Sequence, residues 1–425
     1  MSEEYQEVWK ELGLDLTAHE ALLGALGQGY QDVFLAQKAR PEGMGYFDFV
    51  MSEVHGLRIK ELLEEKSAGR KVVGSFCVFV PEEIVRAADA TLVGLCTGAD
   101  FAAEEVEKFL PRNTCSLIKS AFGFKLGKVC PYIESADMII GENTCDGKKK
   151  SYEVLQGLVP NLYVMDLPQV KSHQGRELLK AEYFRFKNAI EELGGVSIDA
   201  QKLKKGIEIV NNKRKAIHRL LDARRFNPAP ISGLDALIVN QVSFYDDPIR
   251  FTDSVNKICE ELEIRVGKVE GVFPKETPRV LLSGCPMAVP NWKLPWIIET
   301  SGAVIVGEES CVGERGTRNL TDDSGTTVDE LMEAIVDRYF QVDCAIFTPN
   351  HDRLSHVVEM FEKYKADGII HYSLQFCQPY LMESMPVEKE LEQKKMPTLR
   401  IETDYSQEDV GQLKTRIEAF IELLK

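Results

Sequence analysis

In KVVGSFCVFVPEEIVRAADA, residues 71–90, an apolar, β-branched run gives way at Pro81 to two acids and a helical pattern. A continuous apolar run bounded in this way reads as a strand buried on both faces. Pro81 suits a first helical turn, where its missing N–H has no partner to lose, and Glu82 and Glu83 oppose the helix dipole. The alternation continues downstream in TLVGLCTG, the helical EEVEKFL, CSLIKSAFGFKL, and the strands ADMIIGENTC and NLYVMDLP. Such a series builds a parallel sheet covered by helices.

From Arg279 the series restarts: RVLLSGC, a helix near WIIETSG, AVIVGEESC, the helix DELMEAIVDRYF, CAIFTPN read as a strand, the helix DRLSHVVEMFEKYK, DGIIHYSLQFC, PTLRIETDY and a last helix, QLKTRIEAFIELL. Upstream, YQEVWKELGLDL and FVMSEVHGLRIKELLEE space apolar residues as helices do. Between them GALGQG (Gly24, Gly27, Gly29) imitates a dinucleotide fingerprint, but no strand precedes it, so it reads as a helix end or loop. Residues 175–226 form a long, charged helical stretch ended by NPAP. The expected fold is therefore α/β, with two Rossmann- or flavodoxin-like domains on parallel sheets, plus N-terminal and connecting helices. The boundaries are 1–70 for an N-terminal helical segment, 71–175 for the first α/β domain, 176–278 for a helical connecting layer and 279–425 for the second α/β domain.

At 425 residues the chain exceeds one ordinary core, which agrees with two domains. Its 44% hydrophobic and 28% charged residues are those of a globular protein, and no apolar run reaches the roughly 20 residues of a membrane span. The acidic, amphipathic start is unlike a secretory signal, so a cytoplasmic location is expected. A net charge of −16 argues against nucleic-acid binding, which relies on basic surface.

In a reducing compartment the ten cysteines are packing filler, catalysts or metal ligands. Five close strand-like runs: GSFC at Cys77, ENTC at Cys145, LSGC at Cys285, EESC at Cys311 and LQFC at Cys377. Ligands of open α/β sheets collect beyond the carboxyl ends of the strands. One buried cysteine is usually a small hydrophobe, but so many at strand ends point to a metal, and first to an iron–sulfur cluster. Cys115 stands where a helix begins, so free N–H groups there would stabilise a thiolate. Lys148, Lys149 and Lys150 can balance negative charge, and Arg315 can point inward. Cys259, on a helix, and Cys344, at the start of its strand, read as structural. No CxxC pair occurs, which disfavours structural zinc. GENTCDGK has the wrong spacing for a phosphate loop, so any ATP chemistry falls to a partner protein. His351 and His371 read as proton donors or as ordinary loop or core histidines. Glu402 and Asp404 read as a proton relay or a helix cap.

Together SFCVFVPEEI, LPRNTCSLIKSAFGF, ENTCDGKKKSYE, EESCVGERG, HYSLQFCQPY and TRIEAF resemble the 2-hydroxyacyl-CoA dehydratase/benzoyl-CoA reductase superfamily, from about residue 45 to the C-terminus. Within it the chain is most similar to the double-cubane cluster proteins. The resemblance implies a homodimer holding an 8Fe-9S double cubane through six cysteines, where ordinary dehydratase subunits hold one 4Fe-4S cluster through three. Carried over, the ligands are Cys77, Cys115, Cys145 and Cys377, then Cys311. Cys130 is taken as the sixth because it shares a segment with Cys115 and Cys145, with Cys285 and Cys96 as alternatives. The resemblance further implies ATP-dependent, low-potential reduction of a small-molecule substrate, driven by a separate ATP-hydrolysing iron–sulfur activator. A 2-hydroxyacyl-CoA dehydratase subunit, a lyase with a single 4Fe-4S cluster, is the alternative. A non-catalytic electron carrier or metal-storage protein is a third.

Overall fold

Two parallel sheets of four strands each organise the chain. A computed structural model describes residues 3–425; Met1 and Ser2, the start of the expected helical segment, lie outside the described residues. The first sheet contains β1 (Val72–Ser75), β2 (Thr91–Gly94), β3 (Met138–Glu142) and β4 (Leu162–Met165). The second contains β5 (Arg279–Gly284), β6 (Val304–Glu309), β7 (Gly368–Leu374) and β8 (Thr398–Thr403). Strand order is β2-β1-β3-β4 in one and β6-β5-β7-β8 in the other, so the two halves repeat one topology. Each order reverses direction beside its first strand, and there the carboxyl ends open a crevice. The inner strands β1, β3, β5 and β7 are wholly buried, and this is why each carries adjacent apolar residues pointing to both faces.

Between β4 and β5 in the chain run the helices His173–Gly194 and Ala200–Ala223. Ser172 caps the first by accepting the Gly175 N–H, and Asp199 caps the second by accepting that of Lys202. The second packs closely on the helix Glu82–Ala87: a Cβ at Gly206 would stand 2.4 Å from the Glu83 carbonyl oxygen. The helix Val328–Phe340 belongs to the second half of the sequence but shares a hydrophobic core with the first sheet, through Leu331, Met332, Ile335 and Val336. A buried network fixes this crossing, with Arg214 donating to Glu83 at 2.7 Å and the Tyr339 hydroxyl donating to the same carboxylate at 2.8 Å.

Two local expectations fail. CAIFTPN forms no strand; residues 342–349 are turns and loop. Asp343 is buried and tied to Arg318 and His356, while the Asn350 side chain holds the Cys344 carbonyl at 3.0 Å, so polar anchoring overrides a short apolar run. GALGQG is not a loop or a stop: it forms the last turns of the helix Leu16–Tyr30, which runs on into a π-helical turn, Gln31–Leu35. Among the described residues no helix is long and apolar enough to cross a membrane.

Candidate functional site

A cleft of about 1140 Å³ opens where the carboxyl ends of the two sheets face each other. Six strands end there, and each is followed within three residues by a cysteine: β1 by Cys77, β2 by Cys96, β3 by Cys145, β5 by Cys285, β6 by Cys311 and β7 by Cys377. Cys115 and Cys344 reach the same cleft from connecting segments. Eight of the ten cysteines therefore line one cavity, and none forms a disulfide.

One group forms around helix ends. Cys115, Cys145 and Cys377 are the N-cap residues of the helices Ser116–Leu126, Asp146–Leu155 and Gln378–Gln393. Three positive helix ends thus converge where thiolates would sit. Cys115 and Cys377 come from different lobes and share a hydrogen bond, which with burial holds the Cys115 thiol well above its usual pKa. The Cys377 thiol is raised as well: its bond to Cys115 opposes the rise, while its contact with Cys285 and burial cause it. Phe376, just before Cys377, has φ +63°, a left-handed conformation that an aromatic residue adopts at a cost of about 1–2 kcal/mol. The turn so formed presents Cys377 to the cleft.

A second group has its cations on side chains. The Cys77 thiol is raised well above its usual pKa by burial, opposed by Lys148 and reinforced by Glu142 and by the Cys311 and Cys344 thiols. Cys344 is pushed up to about 11, by burial first and by Cys311 next. Arg315, fully buried, points Nη1 at Cys311 Sγ at 3.6 Å and also donates to the Tyr380 hydroxyl. Its other nitrogens are taken by Glu309, at 2.6 Å, and by main-chain carbonyls. Arg353 holds the opposite oxygen of Glu309 at 3.1 Å.

The donor chemistry fits an iron–sulfur core. Protonated thiols gathered in a buried cleft are costly to ionise alone, and metal binding displaces their protons. Among the described residues no three Cys, His, Asp or Glu side chains close round a point where one ion could be held. Sulfurs spread round a cavity suit a polynuclear core better than a single zinc.

The predicted site residues fall unequally. Cys77, Cys115, Cys145, Cys311 and Cys377 meet in the cleft. Cys130 does not: it is 5% exposed, caps the short helix Pro131–Ser135 and packs in the core with Tyr132 and Ile133. Of its alternatives, Cys96 donates to the Phe76 carbonyl at 2.8 Å, and buried Cys285 accepts the Leu374 N–H at 3.3 Å. Gly284 allows that placement, since at φ +138° a Cβ would lie 1.8 Å from the Tyr372 oxygen. Cys259 is buried on a helix, as expected. Cys344, read as structural, lines the cleft. His351 lies on the cleft wall, whereas His371 is fully buried on β7, its pKa lowered to about 3 by desolvation. Glu402 is exposed and Asp404 accepts the Ser406 N–H; neither lines the cleft. Sequence reasoning missed Cys344, Glu142 and Arg353. A signal existed for Cys344: it stands 33 residues from both Cys311 and Cys377 (344 − 311 and 377 − 344), making a triad in the second half to match Cys77, Cys115 and Cys145 in the first.

Fold and site together define a two-lobed α/β protein with a thiol-lined interlobe cleft. The chain belongs to the 2-hydroxyglutaryl-CoA dehydratase D-component family, whose model matches residues 77–424. It is 37% identical to the Escherichia coli protein YjiM over 88% of this chain and 96% of that one. It is 28% identical to the (R)-phenyllactyl-CoA dehydratase beta subunit of Clostridium sporogenes, over 84% of this chain and 93% of the relative. It is 22% identical to one of the benzoyl-CoA reductase subunits of Thauera aromatica, over 79% of this chain and 86% of the relative.

Proposed function

We propose that this chain is an ATP-dependent, low-potential iron–sulfur reductase acting on a small molecule, reduced by a separate ATP-hydrolysing activator and working as a cytoplasmic homodimer. The observation that carries this reading is that eight thiols from both lobes line one cleft, Cys115, Cys145, Cys285 and Cys377 on one side and Cys77, Cys96, Cys311 and Cys344 on the other. Cys115, Cys145 and Cys377 would hold one cubane of an 8Fe-9S group, and Cys77, Cys311 and Cys344 the other. Cys344 replaces Cys130 because its sulfur faces Cys311 and Cys77 across the cleft. Bound there, the group supplies electrons at low potential beside the remaining cavity. The chain's own part is to fix six sulfurs on rigid strand and helix ends, to shield them from water, and to offer His351 on the cleft wall as a proton donor.

A dehydratase subunit with a single 4Fe-4S cluster is the second reading, favoured by the dehydratase named among the relatives. Iron and sulfide analysis of anaerobically purified chain separates the two. About eight irons per chain support the double cubane, while about four sink it. Turnover of a 2-hydroxyacyl-CoA by this chain plus activator, with no second subunit, would place it among the lyases. A cluster that cycles without reducing any substrate would leave an electron carrier.

A further inference from the structure

Three lysines follow Asp146-Gly147, and the structure separates them. Lys149 pairs with Asp146 and Lys150 with Glu153 on exposed helix surface. Lys150 reaches the cleft rim with its side chain 67% exposed, whereas Lys148 turns inward, 13% exposed, on the cleft wall. Its ammonium is held only by long contacts there. They are Glu142 Oε2 at 3.5 Å, the Phe76 carbonyl at 3.4 Å and the ring of Tyr152, whose centroid is 6.0 Å away. Glu142 is itself fully buried: Oε1 accepts the Cys77 N–H at 3.1 Å, and Oε2 has only the long ion pair to Lys148.

Arg315 makes the contrast clear, since each of its nitrogens has a close acceptor and its charge is answered by Glu309. Lys148 is the more weakly paired of these two buried cations, with Tyr152, Cys77 and Cys96 beside its ammonium. At its other end the Lys148 main-chain N–H donates to Cys145 Sγ at 3.5 Å. One residue thus reaches Cys145 through its backbone and Cys77 through its charge, joining the two thiol sets. A buried cation so placed is stable where anions face it, and a thiolate-bound group supplies them.

We propose that Lys148 is the positioning and charge-compensating residue of the thiolate site, fixing Cys145 through its backbone and setting the reduction potential of the bound iron–sulfur group through its ammonium. This rests on the iron–sulfur reading above. A positive charge beside a redox centre favours the reduced form, so removing it makes reduction harder.

The test is a redox titration of anaerobic holoprotein followed by electron paramagnetic resonance, with iron content and thermal unfolding recorded for each variant. Lys148→Met is expected to lower the reduced-to-oxidised ratio at a fixed potential by at least about tenfold, about 59 mV for one electron. Lys148→Arg should recover most of that shift. Glu142→Gln, which removes the opposing charge, should shift the potential the other way, and it decides alone if Lys148→Met does not fold. A folded Lys148→Met chain that loses iron also supports the role. An unchanged potential with iron retained overturns the inference and leaves the iron–sulfur reading standing. Wild-type chain without iron overturns both.

Discussion

The backbone N–H of Ser116 donates to the carbonyl of Gln375 at 3.3 Å, a main-chain bond between the lobes. Each partner lies within two residues of a cleft cysteine, so the bond sets Cys115 beside Cys377. Because both cysteines are helix N-caps, two helix N-termini, one from each lobe, meet there. The cleft is therefore registered by backbone geometry, and the sulfurs are placed before any ligand arrives.

That juxtaposition predicts the oxidation chemistry of metal-free chain. Treatment with tetrathionate should link Cys115 to Cys377, two thiols giving up two electrons and two protons to form one disulfide. Peptide mapping under non-reducing conditions should find this pair before any involving Cys130 or Cys259, which are buried outside the cleft. A first-formed link to Cys130 or Cys259 would mean that the lobes do not keep this register in solution.

Cys344 and Cys130 make opposite predictions. Cys344→Ser should lower iron per chain by about half, because it strips one of three sulfurs from a cubane. Cys130→Ser should leave iron unchanged and cost about 1–3 kcal/mol of stability, since a polar hydroxyl enters a packed core. Colorimetric iron assay with urea unfolding checks both. Equal iron in wild type and Cys344→Ser would remove Cys344 from the site.

Glu309 and its two arginines should matter to stability as a unit. The carboxylate is fully buried, with Arg315 at 2.6 Å, Arg353 at 3.1 Å and the Ser283 hydroxyl at 2.8 Å. Arg353→Met leaves Glu309 and Glu383 short of a partner, and breaking a buried ion pair from one side costs about 3–5 kcal/mol. The urea midpoint should fall with its slope unchanged. A shift below about 1 kcal/mol would show that water reaches the network.

Much of this architecture is legible in the sequence, for reasons visible in particular residues. The inner strands are buried on both faces, so β1 and β7 carry the β-branched pairs Val72-Val73 and Ile369-Ile370, and Ser172 and Asp199 mark helix starts by their capping chemistry. Cys77, Cys115, Cys145, Cys311 and Cys377 are legible because strand and helix ends in this topology point to one crevice. Cys344 is hidden by its apolar neighbours Ala345, Ile346 and Phe347, which imitate a strand while Asp343 and Asn350 tie the segment into a loop. Cys130 misleads because nearness in sequence to Cys115 is not nearness in space: the helix Ser116–Leu126 carries the chain from the cleft back into the core. Arg353 and Glu309 are far apart in sequence, and only tertiary packing pairs them.

The N-terminal helices carry a pH dependence of their own. His19 and His55 stack, with Nε2 of one 3.0 Å from Nδ1 of the other, beneath Trp9. Burial lowers their pKa values to about 4 for His19 and about 3 for His55. A base whose folded pKa is depressed gives stability that is complete above its unfolded value near 6.5. That stability is lost as pH falls toward the folded value, by about 1.4 kcal/mol per unit for each histidine. Glu142 and Glu299 act oppositely: burial raises both to about 7, so they favour folding as pH drops from 7 toward 4.5. The two effects offset each other between pH 5 and 6.5, so the wild-type profile there should be shallow. His19→Leu removes one histidine from the balance, and its stability relative to wild type should improve as pH falls below 6.5. Urea unfolding at pH 7.5, 6.0 and 5.0 measures that difference. A difference independent of pH would mean that His19 is not held neutral.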